Sequence, residues 1–321
     1  MNPRAVGDRS PLHPSTAERA GTQLVSLQVR NVLRQAQDPG GDQWYWAVNP
    51  YRGCQYGCTF CHVRLETRDH DAWNDFEQRI GVKVNLVETL VRELREVDLG
   101  GRPLVLGTTT EPWQQSEEKV RLTRSVLEAL ARMEGLDLRV NTRSSLVARD
   151  VDVLREIARR GRVSVTFSLA SMDERINRLL EPNAPSAMRR FAAMEALAHN
   201  GIEVGMLVSP VLPGLEEDEL GLEAMLSRAA HAGARFAGMG LLSLAGAHRE
   251  TFLFHVDRKY PELSSRFRRV IGRKPPSPAE LQTLQQRFGA LCAAYDLRPL
   301  SEAHAPRKAE ERPPSQMSLF L

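Results

Sequence analysis

Cysteine is scarce in this chain of 321 residues: there are four, Cys54, Cys58, Cys61 and Cys292. Three fall within eight residues and the fourth stands alone, which excludes a disulfide framework and points to a metal site. Aromatic residues make up only 6% and no run of 18 apolar residues occurs, so no segment is expected to span a bilayer. The first residues (MNPRAVGDRSPLHPSTAER) lack the apolar stretch of a secretory signal, and the expectation is a cytoplasmic protein. Net charge is small, +3, too little to argue for a nucleic-acid partner by itself. Material for a core is present: 42% apolar and 26% charged side chains suit one large α/β domain or two small ones, and exclude a disordered or collagen-like chain.

Four stretches are expected along the chain. Residues 1–43 form an N-terminal extension rich in Pro, Gly and polar side chains, with Gln23–Leu33 as an extended segment or short strand. Residues 44–247 carry a βα rhythm. Strands are expected at Trp44–Val48, Pro103–Gly107, Leu136–Asn141, Val163–Leu169, Ile202–Ser209 and Phe236–Leu242. Helices are expected at Val84–Val97, Glu117–Met133, Asp150–Arg160 with Asp150 as N-cap, Ser186–Asn200 closed by Gly201, and Glu217–Ala232. Such alternation implies parallel strands joined by right-handed crossovers, in either an incomplete barrel or an open doubly wound sheet. No G-x-G-x-x-G follows any strand, which weighs against a dinucleotide fold. Residues 248–300 turn helical, at Arg249–Lys259, Pro261–Ile271 and Pro278–Tyr295, and residues 301–321 read as a disordered tail.

Cys54, Cys58 and Cys61 form a C-x3-C-x2-C loop just after the Trp44–Val48 strand. Three thiolates on one short loop can hold three corners of a cubane [4Fe–4S] cluster and leave the fourth iron without a protein ligand. An open coordination position is what a metal site needs to bind and activate a small molecule. Gly53 and Gly57 let the loop curl, because glycine tolerates positive φ. The competing reading is a structural zinc, which wants four protein ligands, with His62 or His70 as the fourth. Cys292, in an apolar helical stretch, reads as a buried small hydrophobe.

With Phe60 as the aromatic, C-x3-C-x-Φ-C on the loop after the first strand of a βα array resembles the signature of the radical S-adenosylmethionine (radical SAM) enzymes. The wider text, Asn49-Pro50-Tyr51-Arg52-Gly53-Cys54 through Cys61-His62-Val63-Arg64, is similar to the branch related to spore photoproduct lyase. So are Leu106 to Gln114, Leu122-Thr123-Arg124, Leu146 to Asp150, Leu180-Glu181-Pro182 with Arg189-Arg190, and Pro210 to Gly214, which together span about residues 44–243. The resemblance implies a partial (β/α)6 TIM-like barrel with a helical C-terminal extension and the cluster at the C-terminal mouth. It implies that SAM chelates the open iron through its amino and carboxylate groups. Reductive cleavage of SAM would then yield a 5′-deoxyadenosyl radical that abstracts hydrogen from a substrate, the electron coming from a flavodoxin- or ferredoxin-type donor. Strand-end residues are accordingly expected around SAM. Thr109, Thr110 and Glu111 would meet the methionine ammonium, Arg143 the carboxylate, Ser168 the ribose and Phe60 the adenine, with Glu181 and Arg190 near SAM or substrate. Spore photoproduct lyases place a hydrogen-donating Cys just before the polar cluster after the second strand. This chain has Thr108 there, so the lesion-reversal reaction itself is not implied.

The chain ends in Gln316, Met317, Ser318, Leu319, Phe320 and Leu321, an apolar cluster behind a charged linker. It resembles the pentapeptide by which bacterial DNA-maintenance proteins dock on the replication sliding clamp. Met317, Leu319 and Phe320 would fill an apolar pocket and Gln316 would anchor it, the alternative being a terminus folded back on its own domain. Residues 257–274 carry seven basic and two acidic side chains. Arg266, Arg268, Arg269, Arg273 and Lys274 are candidates for phosphate contacts, against the plainer reading of a solvated helix face. Tail and basic stretch together point to DNA, with a base flipped out or single-stranded to reach the mouth. The expectation is a lyase-like radical SAM enzyme of DNA repair or modification. The alternatives are a small-molecule, peptide or RNA substrate, and a non-catalytic metal-binding clamp adaptor.

Overall fold

Short runs of Val, Leu and Ile, each followed by an amphipathic stretch, build a central sheet whose strands are covered on both faces. The structure, a computed structural model, describes residues 21–38, 43–61, 63, 76–211, 221–242, 244, 246–272 and 277–304. The chain enters through β1 (Gln23–Leu27) and β2 (Arg34–Gln37), then β3 (Trp44–Val48) and the two-residue β4 (Tyr51–Arg52), and returns as β5 (Arg79–Lys83). The βα array follows: α1 (Leu86–Glu96), β6 (Leu104–Leu106), α2 (Glu117–Val120), α3 (Leu122–Leu130), β7 (Asp137–Thr142), α4 (Val151–Arg160), β8 (Arg162–Leu169). It continues with α5 (Glu174–Leu180), α6 (Ala187–His199), β9 (Glu203–Val211), α7 (Gly221–His231) and β10 (Phe236–Leu241). The last part is α8 (Gly246–Lys259), α9 (Pro261–Gly272), α10 (Pro278–Ala294), β11 (Arg298–Pro299) and α11 (Leu300–Ala303).

Strands β3, β6, β7, β8, β9 and β10 lie side by side in chain order, each parallel to the next. That order decides between the two architectures the sequence allows. A doubly wound sheet reverses its order part-way; an unbroken sequence of right-handed crossovers keeps the helices on one side and curls the sheet. The fold is therefore a partial (β/α)6 barrel. It is open among the described residues, with β2 antiparallel on the β3 edge and β11 parallel on the β10 edge. Close strand packing is visible where the Phe236 ring lies over Gly205: a Cβ there would stand 2.1 Å from the ring. A second sheet, β1–β5–β4, sits beside β3. Among the described residues no helix is long and apolar enough to cross a membrane.

Two local expectations are corrected. The single helix Glu117–Met133 is two helices, because Arg121 takes the left-handed conformation with φ 55°. The strain is offset by Glu117, whose buried carboxylate accepts from the first free amides of α3, Thr123 N at 3.0 Å and Arg124 N at 3.3 Å. Asp150 does stand at the N-cap position of α4, but its side chain makes no cap bond there. Its carboxylate is drawn inward instead, to Trp113 Nε1 (2.8 Å), Arg124 and Arg149. Gly201 does close α6, at φ +78°. The folded region runs past residue 300, since Ala303 of α11 is buried. Residues 305–321 with the clamp-like motif, Leu212–Gly214, Arg273 and Lys274 lie outside the described residues.

His304 follows α11 and packs its ring on Phe236, with centroids 5.4 Å apart. Burial, with Arg139 and Arg162 nearby, pulls its pKa from 6.5 down to about 4. The unfolded chain thus binds more protons than the folded one between these values, so stability is lost as pH falls from 6.5 towards 4. His304→Phe should remove that share. Relative to its value at pH 7, wild-type stability at pH 4.5 should drop by roughly 2 kcal/mol more than the variant's in urea titrations; parallel pH curves would contradict this.

Candidate active site

The run-in to the cysteine loop is held by backbone that only glycine accommodates. Gly53 has φ +80° and a Cβ there would lie 2.7 Å from the Phe76 carbonyl; Gly57 has φ +60°. Cys54 N donates to Phe76 O at 2.9 Å, and Cys61 N to Cys58 O at 3.2 Å. Gln55 is gripped from three sides: its amide donates to Gln114 Oε1 (2.8 Å), its side-chain oxygen accepts from Ser116 N (2.6 Å) and its carbonyl from Asn183 Nδ2 (2.9 Å). Thr59 is anchored likewise, with N donating to Leu180 O at 2.9 Å and Oγ1 to Leu179 O at 3.1 Å. The Thr59 carbonyl accepts from His248 Nε2 at 3.0 Å. A carbonyl only accepts, so Nε2 carries the proton. His248 is buried on α8, and Phe60 packs into the apolar cluster that α5, α8 and α9 share. The C-terminal helices therefore form part of this site.

Two metals compete for this donor set. Cys54, Cys58 and Cys61 are free, half-buried thiols. Among the described residues no set of three His, Cys, Asp or Glu is arranged to hold one ion. A single zinc draws its sulfurs within about 2.3 Å of one centre, whereas cubane ligands bind separate irons and stand further apart. Burial pushes the Cys54 thiol up to about 12 and Cys58 well above the usual range, so thiolates here require a cationic partner. The loop fits an iron–sulfur cluster. His62 and His70, the candidate zinc ligands, lie outside the described residues.

Around the loop, Asn49 at the end of β3 orders the next strand end. Its Oδ1 accepts from Thr108 N and Thr109 N, both at 3.0 Å, and its Nδ2 donates to Thr108 Oγ1 at 2.9 Å. Thr109 is exposed; Thr110 is buried and its Oγ1 has no partner among the described residues. Glu111 is buried. It accepts from Trp113 N (3.0 Å), Thr142 Oγ1 (2.6 Å) and Arg143 N (2.8 Å), tying the loop after β6 to the loop after β7. Arg143 donates through Nε to Glu181 Oε1 at 2.9 Å, and its guanidinium lies 5.4 Å from the centroid of the Phe60 ring. The other Glu181 oxygen pairs with Arg190, which also donates to the carbonyls of Ser168 (2.8 Å) and Pro185 (3.0 Å). One buried carboxylate thus bridges two guanidiniums beside the cysteines. Phe60, Arg143, Glu181, Arg190 and the Ser168 backbone come together; Thr109 and Thr110 occupy the neighbouring strand end. Cys292 is buried in the main core on α10, where burial raises it to about 11.

Sequence reading missed Asn49, Gln55, Gln114 and His248 as parts of the site, and the support below it. There Glu117 accepts from the Tyr51 hydroxyl and from Arg149 at 2.9 Å, while Trp113 bonds Asp150. A fully buried Glu or Asp within an amphipathic run is the signal that could have found these groups.

A model of the radical SAM superfamily matches residues 48–224, more than half of the chain. The chain belongs to the radical SAM superfamily. As a radical SAM protein it is an enzyme, and membership implies a [4Fe–4S] cluster and SAM, which the three-cysteine loop and the unpaired Thr110 hydroxyl fit. An uncharacterized protein of Mycobacterium tuberculosis is 31% identical over 303 residues, covering 94% of this chain and 89% of that protein. A second relative, from Methanocaldococcus jannaschii, is 23% identical and covers 61% of this chain and 71% of its own length. In fold, the chain is similar to spore photoproduct lyase complexed with dinucleoside spore photoproduct (TM-score 0.62, 16% identity, 89% of this chain and 85% of that one). Streptococcus suis SuiB bound to S-adenosylmethionine is also similar, with TM-score 0.51, 14% identity and 79% of this chain against 49% of that one.

Removing the shared carboxylate leaves Arg143 and Arg190 facing each other unpaired. Glu181→Ala should destabilise the metal-free protein by about 3–5 kcal/mol in urea unfolding. A loss under about 1 kcal/mol would mean that the bridge does not hold the mouth together.

Proposed function

We propose that this radical SAM enzyme acts on nucleic acid, in repair or modification of DNA. The observation that carries the reading is the shared architecture over 85% of a lyase whose complex with a dinucleoside photoproduct is solved. When bound, cluster and SAM supply a 5′-deoxyadenosyl radical able to abstract hydrogen from an unactivated C–H bond. The protein's own part is placement. Cys54, Cys58 and Cys61 hold the cluster. Thr109 and Thr110 offer hydroxyls to the methionine end of SAM, and Arg143 offers the face of its guanidinium not engaged by Glu181. Glu111, which keeps the two strand ends in register, would meet the methionine ammonium beside them. Glu181 and Arg190 fix Arg143 and the β8 end with Ser168, and Phe60 forms an apolar wall that limits water.

Thr108 favours modification, or a different repair, over thiol-relayed lesion reversal. Its hydroxyl is engaged by Asn49 and carries no hydrogen that a carbon radical would readily take. An RNA or peptide substrate is the competing assignment. Electrons would come from a flavodoxin- or ferredoxin-type donor, and the protein would work in the cytoplasm.

Anaerobically reconstituted protein with dithionite and SAM should release 5′-deoxyadenosine, faster when irradiated DNA is added. Cys58→Ala should bind less iron and release none above background. Wild-type protein that binds four irons and leaves SAM intact would refute the enzymatic reading; DNA without effect would refute the substrate.

Gln316, Met317, Ser318, Leu319 and Phe320 would recruit the enzyme to the bacterial sliding clamp. Deleting residues 316–321 should abolish binding to immobilised clamp while leaving SAM cleavage intact; equal binding with and without the tail would remove this route to DNA.

A further inference from the structure

Arg34, Arg52 and Lys83 come from three strands and two sheets, yet the pairing registers bring them to one notch. In the antiparallel β4–β5 pair Arg52 lies opposite Gly81. Side chains alternate along a strand, so Lys83, two residues beyond Gly81, shares a face with Arg52 at the diagonal position. A Cβ on Gly81 would meet the Arg52 Cβ at 3.2 Å, so the two strands approach closely on that face. On the other sheet Arg34 lies opposite Ala47, near the end of β3. The Lys83 ammonium donates to the Asn49 carbonyl at 2.6 Å, which carries it to that same end.

The notch is electrostatically unbalanced. Arg34 and Arg52 are exposed, and among the described residues no carboxylate pairs with either. Burial, followed by the charges of Arg34 and Arg52, pulls Lys83 down to about 8. Gathering three cations with no acid paired to them among the described residues is unfavourable and is relieved by an anion. The position is specific too. Asn49, which accepts from Lys83 through its backbone, holds Thr108 and Thr109 through its side chain, and Arg52 immediately precedes Gly53 and Cys54. The cations therefore stand on the rim of the barrel mouth, beside the cysteine loop. The basic stretch 257–274 is a weaker candidate, since Arg268 is already paired with Asp257.

We infer that Arg34, Arg52 and Lys83 form a phosphate-binding notch that seats the phosphodiester backbone of the substrate strand at the rim of the mouth. The inference rests on the nucleic-acid reading above and says where the strand is held. Two guanidinium forks and an ammonium match the oxygens of a phosphodiester and read no base, so binding there is independent of sequence.

The test is fluorescence anisotropy of full-length protein with a labelled single-stranded DNA 20-mer and the RNA of the same sequence, across a salt series. Arg34→Gln/Arg52→Gln should weaken binding roughly tenfold at about 0.1 M salt and flatten the slope of log K against log[salt] by about 1.4, near 0.7 for each lost contact. Arg34→Lys/Arg52→Lys should keep the wild-type slope. Unchanged affinity and slope in the Gln variant overturn the notch while the nucleic-acid reading survives. Equal losses in the Lys and Gln variants overturn it as local damage. Wild-type protein that binds neither strand overturns both readings. RNA bound with the same slope as DNA supports the notch, whose chemistry is shared, and leaves the choice of strand to the mouth.

Discussion

A carboxylate taken out of water must have its oxygens filled, and the mouth of this barrel is built on that constraint. Glu111, Glu117, Asp150 and Glu181 are all buried, and each spans segments distant in sequence. Glu111 joins the strand ends after β6 and β7, and Glu181 joins Arg143 to Arg190 and through it to the end of β8. Glu117 and Asp150 perform the same task one layer deeper, with Arg124, Arg149 and Trp113 between them. Loops that would otherwise drift are thereby held in one arrangement before any cofactor binds, which is the preorganisation that a radical reaction needs.

The features that could be read from the sequence are those written locally. Three cysteines in eight residues need no partner elsewhere to be recognised, and the five strands after the cysteine loop's own appear within a few residues of their expected places. Strand order was open, because alternation alone suits both a barrel and a doubly wound sheet; only the pairing of neighbours in chain order separates them. The break at Arg121 was hidden for a similar reason. Nothing near it disfavours a helix, and its cause is a carboxylate satisfied by the following turn and by Tyr51, 66 residues away. Of the small sheet only β1 is legible, within Gln23–Leu33; β5 is not, because Gly81, under the Leu27 side chain, weakens its alternation.

The site residues divide along the same line. Arg143, Glu181 and Arg190 come together with Phe60, but neither strand-end position nor resemblance could tell a residue that faces a ligand from one that braces its neighbour. Glu111 is the clearest case: type and position suggest a ligand, and the structure adds three internal donors that the sequence does not announce. His248 had no motif at all. Its place at the cysteine loop depends on the docking of α8, which no pattern in the surrounding text announces.

That last contact separates its partners by 189 positions. On a ribosome adding about 5–20 residues per second, the three thiols emerge roughly 10–40 s before the helix that completes their clamp. Throughout that interval the nascent chain presents a reactive, unbraced cysteine triplet to the cell. The full surroundings of the cysteine loop are therefore complete only after α8 has been made and has docked.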